Sequence, residues 1–172
     1  DRLLSRGLGD VYKRQLSDEG TIEGVPDSRT DWSEYTIWGN NSGGSSSSSI
    51  WIAVHDILAD QNDLLRGMGQ TNWGGWPSPI LPIGEWAFPV AFSEGGYTSQ
   101  IPVISASHVG KGKMIGYGHE SWVYGSGGVE ETAFSLRAVE WVCGKHADVG
   151  LAYGAGFEGF QDELESDGHT VH

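Results

Sequence analysis

The stretch SASHVGKGKMIGYGHESW, residues 105–122, gathers the residue types that most often do chemistry. His108 and His119 are imidazoles, and Glu120 is a carboxylate. Two imidazoles and a carboxylate can hold a divalent metal or carry out acid–base work. A hydrolase or metal site at His119 and Glu120, with His108 joining from the partner strand, is therefore one reading. The competing reading is structural. In an extended chain, successive side chains point to opposite faces, so Glu120 turns away from His119. A histidine ahead of a bulky loop also serves to tie that loop to the strand end. The expectation is that Gly118-His119-Glu120 is the packed end of a strand. Gly116 and Gly118 would then let a neighbouring helix press on it, with His119 anchored to the loop 121–128.

Three further features invite a chemical reading. GAGFEG, residues 154–159, matches the GxGxxG fingerprint of dinucleotide sites between a strand and a helix. Glu158, Asp162 and Glu163 place carboxylates where a pyrophosphate would sit, against the helix dipole that favours anions. A tight turn is the expectation. Cys143, the single cysteine, falls at the end of a helix rather than on an elbow or helix N-terminus. It reads as a buried structural cysteine, with no disulfide available within the chain. Trp73, Trp76 and Trp86 punctuate a proline-rich run and form a candidate sugar-stacking surface for a carbohydrate-binding module. Neither HExxH nor CxxC occurs, so no metal ligand set is visible in the sequence.

The elements that must position these residues follow from periodicity. SIWIAV, from Ser49, reads as a strand, and His55 to Met68 as a short helix with Ile57, Leu58, Leu64 and Leu65 as its apolar positions. From Asn72 to Phe92, four prolines forbid a helix and break any central strand, which predicts a long ordered loop. IPVISASHV and KMIGYGHE predict two strands joined by Gly110-Lys111-Gly112 as a tight hairpin, central in a covered sheet because both are apolar on both faces. GVEETAFSLRAVEWVCGKH predicts a largely buried helix, opened by Glu130 and Glu131 and stopped by Gly144. Residues 147–172 then read as strand, turn, helix, turn and the start of another strand, the truncated first βαβ unit of a parallel α/β domain. The fold class is α/β: a mixed β-sheet with a central Gly-Lys-Gly hairpin and a buried helix, followed by that unit.

Composition sets the outer limits. The chain has 172 residues, eight tryptophans, 27 glycines, a low apolar fraction of 38% and a formal net charge of −13. Residues 1–15, DRLLSRGLGDVYKRQ, resemble translated sequencing adapter and are set aside, the alternative being a basic arm. Without them six basic residues face twenty-one acidic ones, a charge of −15. That argues against nucleic acid and anionic membrane as partners. No apolar run is long enough to span a membrane, so membrane insertion is not expected. Residues 16–49 are acidic and end in GNNSGGSSSSS, a flexible linker by composition, of the kind that joins modules in exported proteins. WSEYTIW, residues 32–38, reads as one strand of a preceding domain. The domain reading is residues 1–15 as artefact, 16–49 as linker, 50–146 as a mixed α/β module, and 147–172 as the start of a further domain. Both true ends are expected to lie outside this chain, and its oligomeric state is not legible.

WPSPILPIGEWAFPVAF, then SASHVGKGKMIGYGHESWV, then SLRAVEWVCGKHADVGLAYG together resemble a known segment. It precedes the catalytic domain of enhancin-like zinc metallopeptidases, and animal channel-associated factors carry a similar one. The resemblance covers roughly residues 57–172. It implies a class I glutamine-amidotransferase-like fold without its nucleophilic cysteine, and a segment that is itself non-catalytic. No cofactor is implied for this chain; any zinc would belong to a downstream part. The functional expectation is an accessory module of an exported bacterial protein, secreted or at the cell surface. The parent would be a glycoprotein-directed zinc metallopeptidase, with a glycan or glycoprotein as partner.

Overall fold

The computed structural model describes residues 2–5, 15–16, 22–23, 26, 28–69, 77–94, 100–120, 128–152 and 156–172. The chain divides into two units, Asp1–Asp56 and Ile57–His172.

The first unit is built from antiparallel strands. In chain order these are β1 (Arg2–Ser5), β2 (Gln15–Leu16), β3 (Ile22–Glu23), β4 (Thr30–Asn41) and β5 (Gly44–Val54). β4 and β5 form a long hairpin with β1 on the far side of β4, and β2 pairs with β3. The serine tract is a strand rather than a linker: Ser45 to Ser49 sit opposite Asn40 to Thr36 in unbroken register. The ladder bonds come from the backbone, which serine supplies as well as any residue. The opposing β4 carries the Tyr, Thr, Ile and Trp that favour an extended chain. Gly44 meets the tight connection with a φ of 140°, a value that disfavours side-chain-bearing residues. The first unit runs to Asp56. Arg2–Ser5, set aside on sequence grounds, pairs with Ile37–Asn40.

The second unit is mixed α/β. It runs α1 (Ile57–Leu65), β6 (Ala87–Phe92), β7 (Pro102–Val109), β8 (Gly112–Tyr117), α2 (Val129–Cys143), β9 (Asp148–Val149), α3 (Glu158–Ser166) and β10 (Thr170–Val171). β6, β7 and β8 form an antiparallel sheet in that order. β7 and β8 are joined through Gly110 and Lys111, with Gly112 already paired to Val109; Gly110 takes a φ of 56°. In this sheet β7 is the central strand, and among the described residues β8 is an edge. The expected loop through Phe92 instead becomes strand from Ala87. Pro89 is tolerated because β6 is an edge, and the register slips between Pro89 and Ala91, where the ladder needs no proline N–H.

One face of this sheet packs on the helices. Phe88, Val90, Ile104 and Ala106 meet Leu64 of α1 and Phe134 and Ala138 of α2, all fully buried or nearly so. On α2 the buried residues are Phe134, Ser135 and Ala138, and the partly buried Trp141 extends the Phe134–Ala138 stripe at i, i+4, i+7. The rest of the helix is less covered than its apolar sequence suggests, and Val129 is exposed. β9 and β10 are parallel with α3 between them, Thr170 opposite Asp148 and Val171 opposite Val149. Phe160 and Leu164 are the buried side of α3. His169 is buried beside them, its Nδ1 accepting the Ala147 N–H at 3.1 Å.

Candidate functional site

Strand alternation decides where the histidines go. On β7, Ile104, Ala106 and His108 face the helices, and on β8 their partners Tyr117, Ile115 and Lys113 share that face. His108 therefore points into the core, towards α1. There Asp60 waits, 4% exposed, on the helical stripe of Ile57 and Leu64. His108 Nε2 lies 2.7 Å from Asp60 Oδ2, the imidazole N–H donating to the carboxylate. Trp141 Nε1–H donates to Asp60 Oδ1 at 2.9 Å. The Trp141 ring stands edge-on to both His108 and Phe88. Lys113 closes the cluster from β8: its Nζ lies 4.9 Å from the Trp141 ring centroid and donates to the Trp141 carbonyl at 2.9 Å. Gln61 Nε2 donates to the Pro89 carbonyl at 2.6 Å, fixing α1 to the bulged edge strand.

Chemically, this is a carboxylate–imidazole pair with both carboxylate oxygens engaged. One buried carboxylate joins α1, β7 and α2, and Lys113 ties β8 to the cluster through Trp141. Such a group is costly to bury unless every lone pair is answered, so the cluster specifies how the helices sit on the sheet. The sequence signal for Asp60 was present but unread: an acidic residue on the apolar stripe of an amphipathic helix implies a buried partner.

The structure does not bring His108 and His119 together. His108 is opposite Lys113 near the hairpin, whereas His119 follows Tyr117, which is opposite Ile104. Six residues of strand separate the two levels, on the order of 20 Å. His119 Nδ1 is 3.8 Å from Glu120 Oε2, and Glu120 is exposed. No group of three or more potential metal-ligating side chains occurs among the described residues.

Gly118 is pressed as expected, but not by α2. The proline-rich segment crosses the sheet end instead. Ser78 N–H donates to Gly118 O and Gly118 N–H to Val103 O, both at 2.8 Å. Ile80 N–H donates to Pro102 O at 2.8 Å, and Ser105 Oγ–H to Ile80 O at 2.8 Å. A Cβ at Gly118 would collide with the Ser78 carbonyl, and one at Gly116 would touch Ile80 at 3.4 Å. The loop 121–127 lies outside the described residues.

Of the three tryptophans, Trp73 and Trp76 lie outside the described residues, and Trp86 is half-exposed. Cys143 is exposed rather than buried, because as the last residue of α2 it lies past the packed stripe. In the GxGxxG stretch, Glu158 Oε2 accepts the Gly156 N–H at 3.0 Å. That occupies a donor an anion would need.

A family model described as "TRPM8, N-terminal domain" (TCAF_N) matches residues 44–168. The chain belongs to this family. TRPM8 channel-associated factor 2 of Homo sapiens is 37% identical over 79 residues, 44% of this chain and 8% of that protein. A TRPM8 channel-associated factor homolog of Xenopus laevis is 29% identical over 118 residues, 67% of this chain and 12% of that protein. The Danio rerio homolog is 32% identical over 94 residues. The chain thus spans about a tenth of the length of these relatives. No solved structure matches it.

TCAF_N membership corrects the functional expectation. The Gly-Lys-Gly and Gly-His-Glu stretches were read as shared by metallopeptidases and channel-associated factors, and the matches are to the latter, in animals. An accessory module of an exported bacterial metallopeptidase is overturned, and so is a glycan-binding module. No helix among the described residues is long and apolar enough to cross a membrane.

Proposed function

We propose that this chain is a protein-binding module whose partner is an ion channel of the kind its relatives are named for. The observation that carries this is the TCAF_N match over residues 44–168, with relatives named TRPM8 channel-associated factors. The surface of the second unit is compatible with such a role. Ile83, Leu81 and Met114 are well exposed, and apolar side chains outside the core are the raw material of protein interfaces. The Asp60 cluster holds the scaffold that presents them. The parallel β9–α3–β10 unit supports the amidotransferase-like affiliation of the fold, which stays part of this proposal.

The test is direct binding. The full 172-residue chain is immobilised and exposed to human TRPM8 in lipid nanodiscs, with an unrelated potassium channel as control. Saturable binding to TRPM8 but not to the control is the expected result. Equal or absent responses to the two channels refute the proposal.

A further inference from the structure

We infer that the outer edge of β8 takes up an extended segment of the bound protein as a fourth strand, a reading that rests on the protein-binding role above. The sheet has two outer strands, and they are built differently. β6 is guarded by Pro89, by register slips on either side of Ala91, and by Gln61, whose Nε2 donates to the Pro89 carbonyl. β8 carries none of these devices, and its six residues run in unbroken register against β7. Lys113 is an inward-facing charge, which guards an edge when it is left unanswered. Here its Nζ is already held by the carbonyl and ring of Trp141, so pairing the edge strands no charge.

The ladder fixes which backbone groups are open. Gly118 N–H donates to Val103 O at 2.8 Å, one step beyond Tyr117 opposite Ile104. Alternation therefore turns the N–H and C=O of Gly116 and Met114 towards β7, and those of Lys113, Ile115 and Tyr117 outward. Among the described residues, no backbone bond from outside the ladder reaches those three.

Width selects a lone strand as the occupant. α1 lies against β6 and α2 against β8, side by side on one face. Two such helices span about 20 Å, whereas three strands set the outer pair about 10 Å apart. The helices therefore overhang the sheet, α2 on the β8 side, and one more strand fits beneath it. A second copy pairing through its own β8 would bring a second α2 to within about 5 Å of this one. Packed helix axes stay roughly 8–10 Å apart.

Alternation and charge describe the segment. Its residues beside Ile115 and Tyr117 enter the layer under the helices and are apolar. The residue beside Met114 stays at the surface, where Met114 itself is exposed. No Asp or Glu occurs between Glu94 and Glu120, and Lys111 and Lys113 lie at the hairpin end of the edge. An acid at that end of the segment complements them.

The experiment is amide hydrogen exchange on the full chain, alone and titrated with the capped peptide Thr-Val-Thr-Val-Thr-Glu-Thr. Aligned antiparallel, its valines meet Tyr117 and Ile115 and its glutamate meets Lys113. One control peptide is N-methylated at the valine and glutamate amides, which face β8; another is N-methylated at the two inner threonine amides, which face away. In the free chain Lys113, Ile115 and Tyr117 should exchange faster than Met114 and Gly116. The peptide should slow those three by about tenfold or more and leave Met114 and Gly116 unchanged. Methylation at valine and glutamate should abolish the effect, and methylation at threonine should keep it. Edge amides already protected in the free chain, whether by its own residues or by self-association, overturn the site. So does an absence of slowing, or an equal response to the two methylated peptides. If TRPM8 binding fails while the peptide protects the three amides, only the channel proposal falls. If TRPM8 is bound and the peptide leaves them unprotected, only the edge site falls.

Discussion

Adding a single methyl group at Gly118 tests how the proline-rich segment is held on the sheet. The backbone around Gly118 is what a Cβ meets: it would overlap the Ser78 carbonyl oxygen and lie 3.1 Å from Val103 O. Backbone atoms cannot rotate aside as a flexible side chain does. In Gly118→Ala the cheapest relief is for residues 77–80 to lift off. Lifting forfeits the Ser78 to Gly118, Ile80 to Pro102 and Ser105 to Ile80 hydrogen bonds. At about 1 kcal/mol net each, that is roughly 3 kcal/mol. Ile80, half-buried over Gly116, loses about 1 kcal/mol of apolar burial as well. The total is about 4 kcal/mol, and for a chain of this size it lowers the melting temperature by roughly 8–16 °C. Calorimetry of the full chain gives the melting shift. Hydrogen exchange at the Ser78 and Ile80 amides tells lifting from global loosening. Gly150, with nothing within 4 Å of its Cβ position, is the control. Gly150→Ala should change stability by about 1 kcal/mol or less in either direction. If Gly118→Ala melted within about 3 °C of the parent, less than 1–2 kcal/mol, and kept both amides protected, the packing argument would be refuted.

Other outcomes follow from the same packing. Asp60→Ala strands His108 Nε2 and Trp141 Nε1 in the core and should cost about 3–5 kcal/mol by chemical denaturation; a loss under 1 kcal/mol would mean that the pair is not sealed from water. Tyr117 is held above the ordinary tyrosine range by burial, with its bond to Ser135 opposing in part. Its unfolded form ionises first, so its contribution is complete below about pH 10 and is lost as pH rises further. The stability gap between the parent and Tyr117→Phe should therefore shrink above that pH in denaturant titrations, and a constant gap would contradict the assignment. Cys143, exposed at the end of α2, should react fully with a thiol reagent in the native state; labelling that required denaturant would show it covered.

Much of the second unit was legible in the chain. β7, β8, α1 and α2 announced themselves through apolar runs, turn glycines and first-turn acids, because these signals are local. β6 was missed because proline ordinarily forbids strand; only an edge position, a property of the whole sheet, makes Pro89 acceptable. The serine tract was misread for a related reason. Its composition carries no strand signal, and its extension is imposed by β4 through the backbone.

The candidate site divides the same way. Which neighbours share a face with His108, Asp60 and Trp141 follows from the periods of strand and helix. The sequence alone therefore determined that an acid lay on the apolar stripe of α1 and that His108 shares a face of β7 with Ile104 and Ala106. It could not determine that these two faces meet, because they are 48 residues apart in the chain and nothing local encodes that distance. The closure of the sheet against both helices decided it, pairing His108 with Asp60 and carrying His119 to the opposite end of the strand pair. The same closure placed Arg137 over the end of α1, its Nε donating to the Leu64 carbonyl. The reason is physical: side-chain direction is fixed within each element, whereas which polar groups must answer one another is fixed only once burial removes water as the alternative partner.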